Sequence, residues 1–153
     1  MNLKVNEENI RAMIVLEIIG KPAEHLTETL EDLIKKIDEE KGVQVKSKKI
    51  NEPIIIKDKK TGKDNEHGFY TTFAEVEVEV EEILLLAILM FKYMPAHIEI
   101  IEPELIALTN SGWSDILSEL TRRLHGYDEI ARVLQVEKDI LEKKLREILD
   151  KES

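Results

Sequence analysis

Seven lysine and arginine side chains in the last third of the chain have the chemistry needed to contact phosphates. They are Arg122, Arg123, Arg132, Lys138, Lys143, Lys144 and Arg146. Basic contacts to the phosphate backbone supply most of the affinity of a duplex-binding protein. Acidic residues stand among these cations, since from Trp113 onward there are eight basic and ten acidic residues. Nucleic-acid binding is therefore one hypothesis for this third, and the acidic residues offset much of its positive charge.

The same segment carries a periodic row of apolar residues, which must belong to the element that positions the cations. This apolar stripe consists of Trp113, Leu117, Leu120, Leu124, Tyr127, Ala131, Leu134, Leu141, Leu145 and Ile148, with Lys138 as its one interruption. Alternating steps of four and three residues place these side chains along one side of a helix. The stripe predicts either one long amphipathic helix or several short helices that pack closely.

Within the stripe, residues 113–149 resemble the helix-turn-helix of prokaryotic transcription regulators. The residues that carry the resemblance are Ile130 and Ala131 in the first helix, Leu134 before the turn, Val136 after it, and Leu141 and Leu145 in the second helix. A small residue at Ala131 would let the two helices cross closely. Gln135 and Glu137 stand where that pattern usually has a glycine and a Ser or Thr cap. The resemblance implies a second helix that contacts nucleic acid.

The alternative interpretation uses the same residues as one continuous helix of about 50 Å. Gly126 does not exclude it, because glycine in a helix interior costs only about 1 kcal/mol. The predicted protein-binding residues are then Leu120, Leu124, Leu134, Leu141 and Leu145, and the cations are incidental. Lys138 in the stripe would limit stability and help to specify register. The sequence leaves both interpretations open.

No other group of side chains predicts catalysis, a cofactor or a metal. The four histidines are scattered without paired metal-ligand spacing, and there is no nucleophile–base arrangement or glycine-rich nucleotide loop. Residues 41–63 contain eight lysines against Glu52 and Asp58, which is typical of a solvated hairpin tip. The row Glu75, Glu77, Glu79 and Glu81 favours an exposed strand face that guards an edge. We therefore expect a protein that is not an enzyme.

Composition sets further bounds. The chain has 153 residues, 42% of them hydrophobic, a net charge of −10 and no cysteine, so it can build a core but has no disulfide or thiolate site. Residues 1–9 are polar, predict a loose lead-in and lack the features of a signal peptide. The apolar run 83–91 is shorter than the roughly 20 residues that span a bilayer. We expect a cytoplasmic protein without a membrane segment, and the abundance of Lys and Glu suits a thermophile.

The first two thirds predict strand, helix, strand, strand, helix and strand in that order. The predicted elements are a strand over 12–19, a helix from Pro22 to a glycine stop at Lys41 and Gly42, strands over 43–56 and 69–81, a helix over 82–94 and a strand over 96–101. Pro53 marks an edge or bulge in the second strand. A short helix is predicted to start within 104–109 and to break at 110–112, with Ser114 or Asp115 capping the next.

This order favours an α+β domain at 10–103 with a ferredoxin-like βαββαβ antiparallel sheet and two helices, followed by a helical region at 104–153. By element order alone the domain is similar to small-molecule sensors of the ACT type. Such modules often bind ligands near a strand–helix junction like the one at Gly20, Lys21 and Pro22. The 83–91 helix is apolar on all sides and needs cover beyond the sheet, either from the C-terminal helices or from a second subunit.

Three functional hypotheses follow. The first is a regulatory or adaptor protein whose C-terminal helices recognise a macromolecule, with DNA or RNA as its specific form. The second is a homo-oligomeric scaffold, in the simplest case a homodimer, or a module that binds another protein through the amphipathic helix. The third is small-molecule sensing by the first domain.

Overall fold

The computed structural model describes residues 8–153, so most of the predicted lead-in over 1–9 lies outside it. Five strands and three helices follow one another along the chain. They are β1 (Ile10–Gly20), α1 (Ala23–Asp38), β2 (Val43–Ile50), β3 (Ile54–Ile55), β4 (Tyr70–Val80), α2 (Ile83–Tyr93), β5 (His97–Glu102) and α3 (Asn110–Glu152). The protein divides into two compact units, one ending at Gly112 and the other comprising Trp113–Ser153.

The strands of the first unit form one antiparallel sheet. Its order is β2-β4-β1-β5, and β3 pairs with β4 as well. The predicted α+β class with an antiparallel sheet is therefore confirmed. The single strand predicted over 43–56 is wrong in detail, because residues 51–53 separate β2 from β3. Thr72 Oγ1 donates a hydrogen bond of 2.5 Å to the Asn51 carbonyl at this break, which holds the interrupted edge against β4.

Strand β4 shows why the sheet folds with one face inward. The side chains on one face of this strand are all buried, as the alternation of the sequence predicts; they are Thr72, Ala74, Val76, Val78 and Val80. In β1, Ile10, Ala12, Ile14 and Leu16 pair in register with Val80, Val78, Val76 and Ala74 and are buried too. Helix α1 covers this face with Leu26, Leu30, Ile34 and Ile37. The core of the unit is thus one layer between the sheet and its helices.

The apolar helix α2 is covered on every side to some degree. Leu86 and Leu89 are buried, and none of the residues 83–91 is fully exposed. Ile83 and Leu85 pack on the core, and so does Ile106 from the segment after β5. The helix ends at Tyr93, and Met94, whose φ of 50° is left-handed, caps it directly before Pro95. The partial or full burial of every residue from Ile83 to Phe91 agrees with the expectation that this helix is covered beyond its sheet-facing side.

A polar contact joins the end of α2 to the turn after α1. Glu40 accepts hydrogen bonds from the Lys92 ammonium and, at 2.6 Å, from the Tyr93 hydroxyl. These donors hold the pKa of Glu40 below its ordinary value. Burial, together with the Glu40 carboxylate, raises the pKa of Tyr93, since the charged phenolate is disfavoured there.

Helix α3 begins earlier than predicted. The backbone N–H of Gly112 donates to Thr109 Oγ1 at 3.1 Å, so Thr109 caps the first turn. The residues expected to break a helix, Asn110 to Gly112, form that turn instead, and 104–109 is not helical. The predicted caps at Ser114 and Asp115 are therefore wrong, because a hydroxyl one residue before Asn110 already satisfies an N-terminal N–H group.

Candidate functional site

The C-terminal third is one uninterrupted helix of 43 residues, about 65 Å long. Of the two interpretations left open by the sequence, the continuous helix is the one that forms, and the turn of a helix-turn-helix is absent at Gln135. Gln135 Nε2 donates instead to Asp139 Oδ1 at 3.0 Å, one helical turn further on. Gly126 also lies inside the helix. Continuity follows from the absence of proline after Pro103 and from the many leucine, glutamate and lysine residues.

In this helix the apolar stripe occupies the two core positions of a heptad repeat, conventionally called a and d. The a positions are Leu117, Leu124, Ala131, Lys138 and Leu145. The d positions are Trp113, Leu120, Tyr127, Leu134, Leu141 and Ile148. A stripe with a strict period of seven drifts by about 20° per heptad around a straight helix, and a left-handed supercoil with another helix keeps it facing that partner. The spacing of the stripe is therefore the one that coiled-coil helices have.

The stripe is open to solvent in the single chain. The exposed fractions are 59% for Leu124, 56% for Leu134, 65% for Leu141 and 57% for Leu145. Leu120 is half-buried, and every residue from Tyr127 to Ser153 is exposed. Four of the five predicted interface leucines are therefore more than half exposed to solvent. Burial of such side chains is what drives most protein association.

Further exposed apolar residues lie beside the stripe, at positions outside the predicted interface. Ile130, Val133 and Ile140 occupy the heptad positions next to d, conventionally g and c, and each is about half exposed. They widen the apolar face between residues 130 and 141. Their spacing of three and seven residues is the signal that would have revealed them.

The structure does not gather the seven predicted phosphate-binding cations on one face. Arg122 and Arg123 both pair with Glu119, at 2.7 and 2.9 Å. Arg132 pairs with Asp128 at 3.0 Å, and Lys138 lies 3.8 Å from Glu142. In the part of the chain that the structure describes, Lys143, Lys144 and Arg146 form no ion pair.

Charge on the side of α3 away from the stripe alternates in sign. The outermost heptad position, called f, is occupied in turn by Asp115, Arg122, Glu129, Val136, Lys143 and Asp150. The two arginines at Glu119 hold the pKa of that carboxyl below its ordinary value, so the acidic residue stays ionised between them. A phosphate backbone needs a continuous positive surface. This face of the helix is instead a surface of mixed positive and negative charge.

At the strand–helix junction over residues 20–22, the lysine side chain contacts other residues of the same unit. Lys21 Nζ donates to the His67 carbonyl at 3.0 Å and lies 5.2 Å from the centre of the Phe69 ring. On the helix-free face of the sheet, Glu77 pairs with Arg11 at 2.8 Å and Glu79 with Lys46 at 3.2 Å. These contacts join neighbouring strands. The ACT-like ligand site stays a prediction.

Two kinds of site do not occur among residues 8–153. No three His, Asp or Glu side chains in this range come together as metal ligands would. None of its helices combines the length and the apolar character needed to cross a membrane.

Comparison with known proteins places the chain in a family. The model of the MJ0538 family matches residues 11–152, and the chain therefore belongs to that family. No curated protein and no solved structure matches it.

Proposed function

We propose that this member of the MJ0538 family is a non-enzymatic scaffold protein that assembles with copies of itself through α3. The observation that carries the proposal is the exposed heptad stripe on a helix of 43 residues. Single apolar residues on a surface need no explanation, whereas a continuous apolar row marks an interaction site. The partner that fits a heptad row is another heptad row, and a second copy of this chain supplies one.

The energetics favour assembly. Each leucine that passes from half exposed to buried contributes on the order of 1 kcal/mol. The stripe holds nine large apolar side chains on each chain. Their combined contribution from two chains is comparable with or larger than the association cost of about 4–15 kcal/mol. A long helix with few contacts of its own also gains most of its stability from packing.

We further propose that the sheet with α1 and α2 has the ferredoxin-like topology. The strand order supports it, because β1 lies between β4 and β5, and β4 lies between β1 and β2. The short β3 is then an addition to the edge of that plan. Many unrelated functions use this fold, so it adds no functional weight.

The proposal is tested with two substitutions that introduce the same charge at neighbouring positions. Leu134→Glu places a carboxylate in the stripe, whereas Val136→Glu places one at position f on the opposite side, and both residues are about half exposed. Light scattering should show an oligomer for the unmodified chain and for Val136→Glu, and a monomer for Leu134→Glu. Equal masses for the two variants would overturn the proposal.

The nucleic-acid hypothesis predicts a different result, which a second experiment tests. Binding of the full chain to duplex DNA and structured RNA is measured across a salt series, with Lys143→Glu combined with Lys144→Glu as the variant. Affinity that falls steeply with salt and is lost in the variant, together with a monomeric chain, would replace the scaffold proposal with that hypothesis. We expect no such binding and an unchanged mass for the variant.

A further inference from the structure

The order of residues along the stripe carries information about how two helices would align. Two consecutive a positions are unusual, because Ala131 is small and Lys138 interrupts the stripe. The d positions around them, Tyr127, Leu134 and Leu141, are all large. The direction in which a second helix runs decides what faces each of these residues.

A parallel pair in register places every residue opposite itself. Ala131 would face Ala131, so that this layer of the interface would contain only two small side chains. Lys138 would face Lys138 in the next a layer, which places two ammonium groups there. Like charges that meet across an interface are costly. Beside that layer, Glu137 of one chain would lie next to the partner's Glu142, a repulsion that Lys138, 3.8 Å from Glu142 in its own helix, offsets in part.

The attraction that a parallel pair offers is already satisfied within each helix. Arg123 would lie beside the partner's Asp128 in that arrangement. Arg123 is held by Glu119 at 2.9 Å, and Asp128 is held by Arg132 at 3.0 Å. Exchanging one ion pair for another on an exposed helix gains little.

An antiparallel pair places a positions opposite d positions, and one alignment pairs every stripe position from Leu117 to Ile148, leaving only Trp113 outside. Leu117 then faces the partner's Ile148, and Leu124 faces the partner's Leu141. Ala131 faces the partner's Leu134 on both sides of the twofold axis, so that a small residue always meets a large one. Lys138 faces the partner's Tyr127, with the partner's Asp128 beside it.

Lys138 is better accommodated opposite a tyrosine than opposite a second lysine. The ammonium of Lys138 can lie on the tyrosine ring, while its stem packs in the layer. The alignment brings Arg123 near the partner's Lys144, and Glu119 beside Arg123 offsets that repulsion. The balance of layers and charges favours the antiparallel direction.

We propose that two copies of α3 pack antiparallel, with Ala131 of each chain opposite Leu134 of the other; this inference rests on the proposed function. Lys138 thereby acts as the residue that excludes the parallel direction. The partner that the stripe fits best is a second copy of this chain in that alignment.

Cysteine cross-linking tests the direction, since the natural chain has no cysteine. In the antiparallel pair, Leu120 faces the partner's Leu145, and the two copies of Leu120 are about 37 Å apart along the axis. Full-length Leu120→Cys and Leu145→Cys, one carrying a tag, should form a mixed disulfide dimer when combined and oxidised. Each variant alone should form almost none. Leu120→Cys combined with Leu134→Cys is the control, because those positions are about 16 Å out of register.

Disulfide dimers of each single variant, without the mixed species, would overturn the antiparallel direction and leave the proposed function intact. A monomeric unmodified chain in light scattering would overturn the proposed function itself. A second measurement avoids substitutions in the stripe. Spin labels at Lys151→Cys should lie about 55 Å apart in the antiparallel pair, and within about two helix diameters in a parallel one.

Discussion

At the scale of single residues, one carboxylate joins two elements of the first unit. Glu40 follows α1, and its hydrogen bonds to Lys92 and Tyr93 attach that turn to the end of α2. The sequence does not predict this contact, because 52 residues separate Glu40 from Lys92. Nothing in the local pattern at Glu40 distinguishes it from its neighbour Glu39. Such a contact follows only from the tertiary arrangement.

The contact predicts a pH dependence of stability. Folding lowers the pKa of Glu40, so the ionised carboxylate stabilises the folded state. This contribution to stability is fully present above the unfolded pKa near 4.5 and is lost as the pH falls through the folded pKa. Glu40→Gln should reduce stability at neutral pH by about 1 kcal/mol and flatten the loss on acidification. Hydrogen exchange of β4 amides across the pH range measures both effects. Glu39→Gln is the control, and an equal effect of both substitutions would contradict the account.

At the scale of elements, the sequence predicts the sheet better than the last helix. Alternation over β4 and the apolar face of α1 are strong patterns, because burial on one face dictates them. Gly126 and Gln135 fit either a turn or a helix interior, and the difference in local propensity is only about 1 kcal/mol. The stripe itself is compatible with both arrangements. Local sequence therefore could not decide between one helix and several.

A substitution at Gly126 tests the continuous helix. A Cβ atom at this position would meet nothing within 4 Å, so Gly126→Ala should stabilise α3 by about 1 kcal/mol and raise its melting temperature, followed by circular dichroism at 222 nm. If Gly126 ended a helix in the left-handed conformation, alanine would destabilise the protein instead.

Gly42→Ala supplies the opposite control. Gly42 has a φ of +78°, and its Cβ would lie 2.7 Å from Leu85 Cδ1, so this substitution should lower the stability of the first unit. A destabilising effect at both glycines would contradict the continuous helix.

At the scale of the whole molecule, the candidate site is a surface that the sequence predicts in part. The five interface leucines follow from the heptad spacing, and four of them are exposed in the single chain. The positions of the seven cations relative to one another could not be predicted, because they depend on whether residues 113–149 form one helix. In one helix they fall on several sides and alternate with carboxylates.

The central claim is that α3 joins copies of the chain, and the mass of the unmodified protein in solution tests it most directly. Sedimentation equilibrium is measured from micromolar to near-millimolar concentration, at low and at high salt. We predict a mass at least twice the 17.7 kDa of one chain, retained at high salt because the contact is mainly apolar. A mass of one chain at every concentration and in both salts would contradict the claim.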